Sequence, residues 1–257
     1  MKELSQNILI LVTHISLWLV FSIASSAIAK SIDSERVIND KEKDKVLIVI
    51  SSDKHGFWLP EVVQPFMLLK QAGFNVDLAS PKGGKGIARG GFRLSTNESK
   101  WFKQSSLVTK LEQSIELKNI IPKQYKAIYF AGGAGPMFDL VDDEEVQRVT
   151  RDIYENGGIV SADCHGPAAL INVRLSNGKR LISGLKLTAK ANNEEGRWAR
   201  ENYPFLLENK ITSLGGKYSS KAKGHEHVVV DGQLITGQNP NSAVLMAKVL
   251  IQQLLLQ

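Results

Sequence analysis

The sequence predicts an α/β fold: an open, mostly parallel sheet with helices on both faces. Three observations carry this reading. A continuous, mostly β-branched apolar run lies at 46–50, as expected of a strand buried on both faces, and further strand segments follow at 74–80, 125–130 and 157–163. Segments with apolar residues at helical spacing alternate with these runs, the order that builds a sheet covered on both sides. The first such series, strand, helix and strand, is complete within residues 46–80, the size of one βαβ unit.

Along the chain, residues 8–29 are almost wholly apolar and end in Ala27-Ile28-Ala29, which fits the small-residue cleavage pattern of a signal peptide spanning 1–29. The expected address is periplasmic or secreted, with no stable membrane anchor after cleavage. A polar linker follows at 30–45, and one domain occupies 46–257. Strand 46–50 leads to a helix over 60–73, where Pro60 suits the first turn and Gly73 the C-cap. Strand 74–80 comes next. Residues 81–109 are rich in Gly, Ser and Lys and read as a long surface excursion, with a helix expected over 105–118. Strand 125–130 breaks at Gly132-Gly133, where paired glycines let the backbone approach a ligand. Asp142, Asp143, Glu144 and Glu145 open a helix that runs to Glu155, acidic at the end its dipole prefers. The strand that follows turns at Cys164 into a helix reaching Leu170. Beyond it, 180–189 reads as extended, 204–214 as a short helix, and Asp231-Gly232 as a hairpin turn. Asn239 caps the C-terminal helix, whose buried face is Val244, Ala247, Leu250, Ile251 and Leu254.

Composition narrows the function classes. The formal net charge of +6 is spread over separate lysines rather than gathered in a block or interleaved with aromatics, so no nucleic-acid partner is expected. A single cysteine, Cys164, forms no internal disulfide, so stability rests on burial. After cleavage four histidines remain, His55, His165, His225 and His227. His225 and His227 would share one face of a strand, but no third ligand has matching spacing, and neither a metal nor a cofactor is expected.

The chemistry concentrates at the strand-to-helix turn. A nucleophile there is held out of the sheet, and a helix N-terminus beside it favours the thiolate. A lone cysteine is otherwise most often a small buried hydrophobe. His165 follows Cys164 directly and serves as a base if a carboxylate orients its ring. Glu61, soon after the first strand, falls at the same carboxyl edge, where a carboxylic acid next to a thiolate keeps its proton.

Glu61, Gly132-Gly133, the run from Ala162 to Leu170, Pro204-Phe205-Leu206-Leu207-Glu208 and the run from Asp231 to Pro240 occur in one order over nearly all of 46–256. Together they resemble the DJ/PfpI superfamily, a flavodoxin-like sandwich related to class I glutamine amidotransferase domains. The branch most resembled contains heat-shock chaperones and glutathione-independent glyoxalases. The resemblance implies a nucleophile at Cys164, a histidine at His165, a protonated acid at Glu61 and a third triad member at Glu195, with Glu194 as the alternative. It also implies an oxyanion hole from the backbone amides of Gly133 and His165, a homodimer, and a small carbonyl or amide substrate. The reaction implied is conversion of a 2-oxoaldehyde to a 2-hydroxy acid. Hydrolysis of an amide or a glycated adduct would use the same groups, and a stress chaperone or thiol redox sensor is the non-catalytic alternative. Three departures stand out: Ala134 where a histidine is common after the paired glycines, Asp163 where an apolar residue usually precedes the cysteine, and a stretch after Ser80-Pro81-Lys82-Gly83-Gly84 that lacks the usual proline and aspartate pattern.

Overall fold

The computed structural model describes residues 44–257. The signal peptide expected at 1–29 lies outside them, and of the linker expected at 30–45 only Asp44 and Lys45 are described. Strand β1 (Lys45–Val49) is an interior strand of the main sheet. Around it are β2 (Phe57–Trp58), α1 (Pro60–Gln71), β3 (Asn75–Ser80), β4 (Ala88–Arg89), α2 (Thr96–Gln104), α3 (Leu107–Glu112), β5 (Ile115–Glu116) and β6 (Tyr125–Phe130). The second half contributes α4 (Glu144–Glu155), β7 (Ile159–Asp163), β8 (Lys186–Leu187), α5 (Arg197–Asn202), α6 (Leu207–Ser213), β9 (Lys217–Tyr218), β10 (Val228–Asp231), β11 (Leu234–Gly237) and α7 (Ala243–Leu254).

Seven strands form one sheet in the order β10-β11-β7-β6-β1-β3-β5. Every neighbouring pair is parallel except β10 and β11. The alternation within β1 shows why the sheet is covered twice. Val46 and Ile48 join a core with Val62, Phe66 and Leu69 of α1 and Met246 and Leu250 of α7. Leu47 and Val49 join the opposite core, with Val146, Val149 and Ile153 of α4 and Leu207 and Ile211 of α6. Each such side chain, fully buried, contributes about 1.5–3 kcal/mol.

The chain leaves β1 for β3 and later returns across it to β6. The loops after β1 and β6 therefore diverge, which opens a crevice at the carboxyl ends of these two strands. Glu61 follows β1, Gly132 and Gly133 follow β6, and Cys164 follows the adjacent β7.

Several local expectations are corrected. The excursion at 81–109 is ordered: β4 pairs with β2, and Ser95 and Glu98 form a reciprocal capping box that starts α2. The helix expected over 105–118 is confined to α3, because the chain then pairs as β5 with the end of β3, Ala79 opposite Ile115 and Ser80 opposite Glu116. Ser114 fixes this exit, lying 2.8 Å from the Ser80 hydroxyl and donating to the Gly84 carbonyl at 2.7 Å.

The helix expected after Cys164 is a five-residue 3₁₀ segment, Gly166–Leu170, opened by a bond from the Ala168 N–H to the His165 carbonyl at 3.0 Å. Within 180–189 only Lys186 and Leu187 are strand. The hairpin is as expected: Asp231 lies opposite Leu234 and Gly232 has φ 57°. Asn239 accepts from the Asn241 N–H at 3.1 Å, but α7 begins only after a 3₁₀ turn, at Ala243. Of its expected face, Ala247, Leu250 and Leu254 are buried, and Val244 and Ile251 half-buried. No helix of the described residues is long and apolar enough to cross a membrane.

Candidate active site

The site is built on one strained residue. Cys164 has φ 56° and, among the described residues, is the only non-glycine with positive φ. This left-handed conformation costs about 1–3 kcal/mol and persists only where the surroundings enforce it. Both of its backbone groups are pinned: its N–H donates to the Gly237 carbonyl at 3.0 Å, and its carbonyl accepts from the Lys190 N–H at 2.8 Å. The sharp turn delivers the side chain to the crevice, where only 4% of the residue is exposed.

The pin from Lys190 also brings in residues 191–195. Glu208 of α6 accepts from the Asn192 N–H at 2.6 Å and holds the loop. As a result Glu195 Oε1 lies 2.9 Å from His165 Nε2, and His165 Nδ1 lies 3.5 Å from Cys164 Sγ. A carboxylate at Nε2 keeps the proton on that nitrogen, which leaves the Nδ1 lone pair facing the thiol. Tyr203 meets the imidazole edge-on, ring centres 5.1 Å apart, and fixes its plane. Glu194 points elsewhere, accepting from the Gly224 N–H at 2.7 Å and from Asn239 Nδ2 at 2.9 Å. Of the two adjacent glutamates named by the sequence, Glu195 is the one that reaches the histidine.

Glu61 is wholly buried in the first turn of α1. Its Oε2 accepts from the Gly132 N–H at 2.8 Å. Burial raises its pKa to about 8, against the pull of the Gly132 amide, the Cys164 thiol and the Lys190 charge. The close approach depends on Gly132: a Cβ there would lie 2.5 Å from Glu61 Oε2 and 2.7 Å from Cys164 Cβ. Gly133 has φ 103° and lines the cavity. Among the described residues neither the Gly133 nor the His165 N–H has a hydrogen-bond partner.

Asp163 is also wholly buried, and its carboxyl oxygens make no hydrogen bond of ordinary geometry. Burial first, then the Glu61 charge, raises its pKa far above the carboxylate range. The thiol itself is pushed up, by burial first and then by Glu61, with Lys190 opposing and Asp163 and Glu195 adding. The thiolate-favouring elbow expected from the sequence is therefore not what the site contains. The segment after Cys164 is too short for a helix dipole, and three acidic groups crowd one buried volume. Lys190 is the cation among them; burial works against its charge, but Cys164, Glu194, Glu195 and Glu61 together hold its pKa up.

The sulfur opens into a cavity of about 420 Å³ lined by His55, Trp58, Gly133, Ala134, His165 and Tyr203. Four groups at this cavity, His55, Trp58, Lys190 and Tyr203, are not among the site residues expected from the sequence. His55, held at Nδ1 by Asp53 at 2.6 Å and stacked on Phe138, had its signal in the Asp-x-His spacing after the first strand. Trp58 lies in β2, Lys190 in the loop after β8 and Tyr203 directly after α5, and they left no local pattern. His225 and His227 lie before β10 rather than in it, and among the described residues no cluster of three or more metal-ligating side chains is present.

Comparison with known proteins identifies the family. Residues 44–253 match the family model described as DJ-1/PfpI family. A glutathione-independent glyoxalase of Schizosaccharomyces pombe is 28% identical over 238 residues, 82% of this chain and 98% of that protein. Glyoxalase 3 of Candida albicans is 26% identical over 225 residues, 79% and 95% of the two chains. Among solved structures, Rapid Encystment Protein 24 kDa of Francisella tularensis superposes with a TM-score of 0.77 at 33% identity, covering 82% of this chain and 99% of that one. With the matched region spanning the whole sheet, the elbow and both acids, the chain belongs to the DJ-1/PfpI family.

Proposed function

We propose that the protein is a cysteine-dependent, glutathione-independent glyoxalase that converts small 2-oxoaldehydes to 2-hydroxy acids. The observation that carries this reading is the relay Cys164–His165–Glu195 at the floor of a cavity sized for a small carbonyl compound. That relatives matching most of the chain are glyoxalases supports the reaction class.

Cys164 Sγ adds to the aldehyde carbon as its proton passes to His165 Nδ1, and Glu195 stabilises the resulting imidazolium. The new oxyanion takes hydrogen bonds from the free N–H groups of Gly133 and His165. Protonation of that oxygen gives a hemithioacetal. With the imidazole neutral again, His165 removes the C1 proton and returns it to C2 through an enediol, while the protonated Glu61 carboxyl gives its proton to the C2 oxygen and takes up that of the C1 hydroxyl, which leaves a thioester. Water cleaves the C–S bond, releasing the 2-hydroxy acid and restoring the thiol. Methylglyoxal plus water thus becomes lactate, with no external oxidant or reductant.

A redox-sensor role is disfavoured by the same features: a thiol that is buried and raised in pKa reacts slowly with oxidants. The test is conversion of methylglyoxal to lactate without glutathione. Turnover by the wild type that is lost in Cys164→Ala is expected; turnover that survives the substitution, or none in the wild type, would overturn the reading.

A further inference from the structure

A second cavity, about 450 Å³, adjoins the catalytic one and shares Trp58, Lys190 and Pro240 with it. Arg89 and Lys190 reach the first cavity beside the rings of His55, Trp58 and Tyr203. The second has Trp58 as its one aromatic group and is lined by Arg93, Lys190 and Lys223, with Glu194 as its one carboxylate. That carboxylate is committed: Oε1 accepts from Gly224 and Asn239, and Oε2 lies 3.6 Å from Lys190 Nζ. Glu194 therefore offsets Lys190 at most. Arg93 and Lys223 have no ion-pair partner among the described residues, and the Arg93 guanidinium lies over the Phe92 ring at 5.3 Å.

Two unpaired cations facing one concave volume focus their field there and attract a negative group more strongly than the same charges on a flat surface. Nothing in the glyoxalase chemistry of methylglyoxal needs them, because that substrate carries no charge. We infer that the second cavity is a subsite for the anionic tail of a longer carbonyl substrate. The aldehyde sits over Cys164, the connecting atoms pass Trp58 and Pro240, and a carboxylate or phosphate ester is held by Arg93 and Lys223. Lys190 stands at the junction and faces both ends. This rests on the reading of Cys164 as a nucleophile toward 2-oxoaldehydes, and it makes the acidic members of that class the preferred substrates.

The test compares 4,5-dioxopentanoate, a 2-oxoaldehyde with a distal carboxylate, with its uncharged methyl ester. Binding is read by calorimetry on Cys164→Ala, which performs no chemistry. The acid is expected to bind at least tenfold more tightly than the ester, the preference shrinking as salt is raised. Adding Arg93→Gln and Lys223→Gln, both at exposed positions, should reduce the preference to within twofold. In otherwise native protein the ratio of kcat/KM for acid over ester should fall in parallel. The phosphate ester of 3-hydroxy-2-oxopropanal against the parent alcohol tells a phosphate tail from a carboxylate, the larger preference naming the group. Equal binding within both pairs, or a preference that survives the double substitution, overturns the subsite. If no 2-oxoaldehyde is turned over by the wild type but Cys164→Ala still prefers the acid through Arg93 and Lys223, the subsite stands and the glyoxalase reading falls.

Discussion

The reactivity of Cys164 is set by a contest between its strained position and its burial. The left-handed turn presents the sulfur to the cavity, yet burial and the neighbouring Glu61 hold the thiol above its ordinary pKa. The thiolate is then made during attack rather than stored beforehand, and His165 is the group placed to take the proton. Alkylation of Cys164 by iodoacetamide should accordingly rise with a midpoint above the value of about 8.5 of a free thiol. A midpoint below 7 would show a pre-formed thiolate and defeat this account. Glu195→Gln should lower turnover by roughly 10²-fold, the usual range for disabling a general base. Cys164, His165, Glu61 and Gly133 were legible in the sequence because each sits at a fixed offset from a strand end. The choice between Glu194 and Glu195 was not legible: the two are consecutive, and only the bond from Lys190 to the elbow decides which one faces the ring. Lys190 and Tyr203 escaped for the same reason, since long-range contacts alone bring them to the sulfur.

At the scale of elements, the turn after β6 is what brings the Glu61 carboxyl and the Cys164 thiol together. Gly132 donates to Glu61, and its missing Cβ leaves the space in which Glu61 and Cys164 approach each other. Gly132→Ala should force them apart, costing about 1–3 kcal/mol of stability as overpacking does and lowering kcat/KM by more than tenfold. Gly91→Ala is the control: a Cβ there meets only Leu59 at 3.5 Å with no positive φ, and a change within about 0.5 kcal/mol is expected. Urea midpoints and initial rates check both, and equal tolerance of the two substitutions would remove the steric argument. The central strands were readable because burial on both faces leaves continuous apolar runs in the sequence. Segments decided by pairing at a sheet edge were not. At 107–116 the apolar spacing is that of a helix, but edge pairing with β3 takes the last two residues as strand. After Cys164, helix and 3₁₀ segment share one composition, and the tight turn selects the shorter form.

For the molecule as a whole, placing buried acids at the sheet's crevice couples the site to stability. Glu61 titrates at about 8 when folded, against 4.5 for an unperturbed glutamate. Between these values the unfolded chain has released a proton that the folded chain retains. Stability from this group is thus complete below about pH 4.5 and is lost as pH rises toward 8, at about 1.4 kcal/mol per pH unit for one proton. Asp163 acts in the same direction, and so does Asp139, which burial raises to about 6. Asp77 and Glu98 act oppositely: burial is overcome at Asp77 by Lys110 and Tyr125, and at Glu98 by Ser95 and Gln64, so both stabilise above their unfolded values and lose that contribution in acid. The two sets together place maximal stability on the acidic side of neutrality. Glu61→Gln keeps an acceptor for the Gly132 N–H but cannot ionise. Urea unfolding measured from pH 5 to 8 should therefore show wild-type stability falling more steeply than that of Glu61→Gln, with the two curves converging or crossing as pH rises. Parallel curves would mean that Glu61 is already ionised in the folded protein, and the proton assigned to it in the reaction would have to come from His165 alone.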